Sequence, residues 1–113
     1  MAALGDIKKV AEHYGYECQS RQLIEEMAEL TQSINKFWRK QLDCGKLKYP
    51  ETKDEAAFLT DEYKSIVEEI ADVEFCLDQV KLLLLCNVDV MQMKKQKIQR
   101  QLLRIESECK KGK

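Results

Sequence analysis

Two octapeptides, LIEEMAEL at residues 23–30 and IVEEIADV at residues 66–73, constrain this chain most. Each reads as an apolar pair, two carboxylates, an apolar residue, an alanine, a third carboxylate and an apolar residue. Residues advance about 100° around a helix, so positions i and i+3 share a side. Glu26 and Glu29 then stand together on one flank of a stripe formed by Leu23, Met27, Leu30 and Ile34. Glu69 and Asp72 hold the matching flank of Ile66, Ile70, Val73 and Leu77, while Glu25 and Glu68 point toward solvent. Two helices that bury these stripes against each other carry four acids to one place.

The rest of the chain reads the same way. Four glycines and one proline in 113 residues leave little turn chemistry, and Met, Leu, Lys, Glu and Gln are good helix formers. The expected fold is all-α, a four- to five-helix bundle in one domain. A short N-terminal helix lies within residues 1–19 and stops at Gly15. A first acidic helix spans 20–44, with Ser20 as its N-cap. GKLKYPETKDE at 45–55 reads as a loop, and a second acidic helix covers 56–86. After a break at Asn87, a basic C-terminal helix runs over 89–109, with Met91, Ile98, Leu102 and Ile105 facing inward.

Bulk properties exclude several classes. Nineteen basic residues against 20 acidic ones give no excess for binding a nucleic-acid backbone. LLLL at 82–85 is too short to span a bilayer, and GDIKKVAEHYG directly after MAAL lacks a signal peptide's apolar core. Five cysteines, an odd number without a C-x-x-C, fit a reduced, cytoplasmic protein. A chain this short has a modest core and gains from oligomerisation.

Helix axes pack roughly 8–10 Å apart, so side chains from both acidic helices reach a shared ion. Four carboxylates held together repel unless some protonate or a cation joins them. Mg²⁺ suits oxygen ligands, and Mn²⁺ accepts the same set. The cysteines are scattered and His13 stands alone, which disfavours a soft metal. Gln22 lies one turn before Glu26, and Lys36 lies beyond Glu29 on much the same side. Lys94, Lys97, Arg100 and Arg104 give the last helix a basic side. The same acids also fit the edges of a bundle seam. The chain is then a non-catalytic helical protein-interaction module with no metal dependence.

With Glu26-Met27-Ala28-Glu29 followed by Glu69-Ile70-Ala71-Asp72, the chain resembles the MazG-like, all-alpha nucleoside triphosphate pyrophosphohydrolases. Their mark is E-x-x-E on one helix and E-x-x-D on a later one. The resemblance spans about residues 20 to 106 and includes the basic last helix. It implies the helical bundle of that family, assembled as a homodimer or homotetramer. It also implies Mg²⁺-dependent cleavage between the α and β phosphates of a nucleoside triphosphate, a deoxynucleotide foremost. The products are a nucleoside monophosphate and pyrophosphate. Glu26, Glu29, Glu69 and Asp72 become the catalytic metal cradle. Lys94, Lys97, Arg100, Arg104, Lys36 and Gln22 are the expected substrate contacts.

Overall fold

The computed structural model describes residues 4–43 and 60–111, and these residues are helical except for a turn at 84–86. Helix α1 spans Leu4–Asp43, α2 spans Thr60–Leu83 and α3 spans Asn87–Lys111. The chain is all-α, with three helices among the described residues where four to five were expected. The expected loop at 45–55 and the first turn of the second acidic helix lie outside the described residues.

Helix α1 is interrupted at Gly15, where φ is 85° and ψ is 168°. Only glycine enters that region without a steric penalty, so the interruption falls where the sequence places a stop. The helix resumes at once, before Ser20. The Ser20 hydroxyl donates back to the Glu17 carbonyl at 3.2 Å, so Ser20 is an interior helix residue and not a cap.

Helices α1 and α2 run antiparallel, and polar contacts fix their register. Gln19 donates to Gln79, Glu26 meets Asp72, and the Ser33 and Ser65 hydroxyls lie 3.2 Å apart. Each advance of seven residues along α1 matches a retreat of seven along α2. One face of each helix therefore presents a polar residue to its neighbour every second turn. Gln79 is fully buried and also donates to the Phe75 carbonyl at 3.3 Å. Partnered in this way, the amides and hydroxyls recover much of what their desolvation costs.

This seam corrects the expectation that the apolar stripes meet with the acids at their edge. Leu23 and Leu30 are half-buried, but Met27, Ile34, Ile70 and Leu77 are exposed. Two helices bury only the line between them, and here that line includes the polar positions. Among the described residues, the buried apolar set is Ala11, Val73 and Cys76, matched by buried Gln19, Ser33 and Gln79. Among the described residues the ion pairs are short-range, within single helices, and contribute at most a few tenths of a kcal/mol each.

Helix α2 ends in a Schellman turn. Cys86 N–H reaches the Lys81 carbonyl at 3.0 Å, and Leu85 N–H reaches the Leu82 carbonyl at 3.2 Å. The residue in the left-handed position is Leu85, with φ 56°, where a glycine is usual. That conformation costs a leucine roughly 1–2 kcal/mol. Cys86 then accepts the first hydrogen bond of α3, from Val90 N–H at 2.9 Å.

Helix α3 contains no buried residue, so Met91, Ile98, Leu102 and Ile105 do not face inward as expected. The extensive helix packing is between α1 and α2, and α3 adds little to it. The radius of gyration is 17.9 Å, against about 13 Å for a compact chain of this length. No helix among the described residues is long and apolar enough to cross a membrane.

Candidate metal centre

The acids occupy the middle of the α1–α2 seam, one heptad above the glutamine pair and one below the serine pair. Antiparallel packing sets Glu26 opposite Asp72 and Glu29 opposite Glu69. One carboxylate oxygen from each of Glu26, Glu29 and Glu69 lies within 4.8 Å of the others. Asp72 falls outside that three-way grouping but lies beside Glu26, close enough to donate to it once protonated. Glu29 is exposed, while Glu26, Glu69 and Asp72 are half-buried.

Two oxygens in this group lack partners. Glu26 Oε2 and Glu69 Oε2 are both sequestered from solvent and accept no hydrogen bond from a described residue. A buried carboxylate oxygen without a donor is costly, and a native fold rarely leaves one so. The other oxygen of Glu26 is satisfied, since Gln22 Nε2 donates to Oε1 at 2.7 Å. Gln22 therefore orients Glu26 and leaves Oε2 turned into the seam. Hard oxygen donors, crowded negative charge and two orphaned lone-pair sites together fit a divalent cation such as Mg²⁺ or Mn²⁺.

Protonation is the other relief open to such a cluster, and it falls on Asp72. Burial, then the neighbouring Glu26 charge and the hydrogen bond to Glu26, raise the Asp72 carboxyl above its ordinary value. The consequence for stability has a definite sign. Between the ordinary and the raised value, the folded chain keeps a proton that the unfolded chain has released. That contribution is fully present below the ordinary aspartate range and is lost as pH rises through the raised value. Metal-free protein should therefore lose thermal stability relative to Asp72→Asn as pH rises above the ordinary aspartate range. A divalent cation held by these acids would compete with the same proton, so any rise in melting temperature with Mg²⁺ should be larger at pH 8 than at pH 5. Scanning calorimetry with EDTA or Mg²⁺ checks both, and a Mg²⁺ effect independent of pH counts against the cluster as the binding site.

Cys76 sits one turn beyond Asp72. Burial, then the charges of Glu26 and Asp72, push its thiol up. A thiol held protonated is neither a nucleophile nor a soft-metal ligand. Cys18, Cys86 and Cys109 are also free.

Lys36 is exposed on α1 and lines an open groove of about 450 Å³ with Gln32, Asn35, Trp38 and Arg39. Lys94, Lys97, Arg100 and Arg104 are exposed on α3 and form no ion pair with a described residue. The described packing does not bring that helix against the acids. Sequence reasoning missed Gln19, Ser33, Ser65 and Gln79. The signal was present in the spacing, because Gln19-Glu26-Ser33 and Ser65-Asp72-Gln79 each repeat a polar residue every seven positions. No known protein family, curated protein or solved structure matches the chain.

Proposed function

We propose that the chain is a MazG-like, Mg²⁺-dependent nucleoside triphosphate pyrophosphohydrolase. It cleaves the α–β phosphate bond to give a nucleoside monophosphate and pyrophosphate, with a deoxynucleotide the foremost substrate. The observation that carries this reading is the pair of sequestered, unpartnered oxygens on Glu26 and Glu69 inside a cluster of oxygen donors. Such a cradle fits a hard cation, and the order of E-x-x-E and E-x-x-D along the chain resembles the family that pairs such a cation with triphosphate cleavage.

In this reading Glu26, Glu29, Glu69 and Asp72 hold the metal. The bound ion supplies neutralisation of phosphate oxygens and acidification of a water. Gln22 keeps Glu26 oriented. Glu29, the exposed member of the cluster, takes the proton from the attacking water. Lys36 serves phosphate from the same helix, and Lys94, Lys97, Arg100 and Arg104 serve it from α3 when oligomerisation brings that helix to an acid site. The family's homodimer or homotetramer accords with the exposed Met27, Ile34, Ile70 and Leu77 beside the acids.

The test is a panel of ribo- and deoxynucleoside triphosphates incubated with Mg²⁺, Mn²⁺ or EDTA. Pyrophosphate and monophosphate should appear in equal amounts from at least one nucleotide, and only with metal. Absence of turnover across the panel, together with absence of Mg²⁺ binding by calorimetry, leaves a non-catalytic helical interaction module.

A further inference from the structure

Helix α3 is amphipathic, and no described helix packs extensively against its apolar side. Met91, Lys95, Ile98, Leu102, Ile105 and Cys109 recur at alternating spacings of four and three, the a and d positions of nearly three heptads. Met91, Ile98, Leu102 and Ile105 are each between 47% and 67% exposed. An isolated helix of 25 residues in water gains its stability from packing such a face, and no described helix supplies the packing.

We propose that α3 pairs with α3 of a second copy of this chain in an antiparallel coiled coil. The charges choose both the occupant and the direction. In the antiparallel register centred near Arg100, Ile98 packs against the partner's Leu102, Lys95 against the partner's Ile105, and Met91 against the partner's Cys109. The flanking position Lys94 then faces the partner's Glu108, twice by symmetry. Lys95, the one charged residue in the seam, lies beside the acidic end of the other helix. A parallel pair instead stacks Lys95 on Lys95 and sets the two basic stretches from Lys94 to Arg100 side by side. A charged a-position residue specifies pairing in this manner at some cost in affinity. Lys97, Arg100 and Arg104 remain on the outer face. The interface involves no residue of the acid cluster, so sedimentation reads it separately from metal binding; Lys94, proposed above to serve phosphate, is in this pairing held by the partner's Glu108.

Sedimentation of the full chain at micromolar concentration should show an even number of copies. Leu102→Glu, at the centre of the seam, should halve the mass while circular dichroism keeps the helical signal of the α1–α2 pair. Lys94→Glu should weaken association about tenfold by setting like charges opposite Glu108. The exchange Lys94→Glu with Glu108→Lys should restore it, which a parallel pair does not predict. In the antiparallel pair the two Cys109 residues are about 27 Å apart, at 1.5 Å rise per residue. A bis-maleimide with a span near 8 Å should therefore not join Cys109 to Cys109. A monomeric wild type, an unchanged mass for Leu102→Glu, failure of the charge exchange to restore association, or a mapped Cys109–Cys109 cross-link would each overturn the proposal.

Discussion

Glu69→Gln is expected to lower Mg²⁺ affinity at least tenfold and pyrophosphate release on the order of 10²- to 10³-fold, with the fold intact. Glu69 Oε2 is one of the two sequestered oxygens that accept no hydrogen bond. An amide keeps the size and shape of the side chain but removes the charge that a cation requires. Metal-free stability should rise, because one of four crowded carboxylates no longer repels the others. Asp72→Asn should act in the same direction. Glu25→Gln is the control: Glu25 is exposed on α1 and belongs to no cluster, so metal binding and turnover should match wild type. The informative comparison is the Mg²⁺-induced shift in melting temperature alongside product formation. An unchanged shift in Glu69→Gln rejects the cradle whatever the nucleotide assay shows.

The second large effect belongs to the neutral end of the seam. Gln79→Ala should cost about 1–3 kcal/mol for the stranded partner, before any cavity is counted. Gln79 is fully buried, and its truncation leaves the Gln19 amide sequestered without its bond. Gln19→Leu together with Gln79→Leu should recover most of that loss, because two apolar groups of similar size leave no orphan. A double-mutant cycle by urea unfolding isolates the coupling between the two positions. A coupling below about 0.5 kcal/mol would mean that the buried amides do not act as a pair.

The helices were legible because 3.6-residue periodicity and strong helix formers agree along the chain. Gly15 was legible for the same local reason, since its positive φ excludes other residues. Which face of each helix turns inward was not. Hydrophobicity alone points to Met27 and Ile34, yet Glu26 and Ser33 lie in the seam while those two are exposed. The deciding factor is pairwise: Gln19 suits Gln79 and Ser33 suits Ser65, a match visible only once two helices are set in register. Ser20 misled because a serine serves equally well as a cap or as a back-bonded interior residue. For α3, the apolar face was read correctly and its partner was not, since a pattern records that a face is apolar without recording what covers it. The proximity of Glu26, Glu29 and Glu69 followed directly from i, i+3 geometry on two helices. The unpartnered oxygens required coordinates.

An antiparallel pair of like helices has an approximate two-fold axis, and here it passes through the acids. A shift of 43 residues carries Glu26 onto Glu69 and Glu29 onto Asp72. The same operation carries Gln22 onto Ser65, and there the likeness ends. Gln22 donates to Glu26, whereas Ser65 is engaged with Ser33 and leaves Glu69 without an equivalent donor. A cradle of true two-fold symmetry would hold an asymmetric ligand in two opposed directions at equal energy. Unequal neighbours lift that degeneracy and give the site a head and a tail.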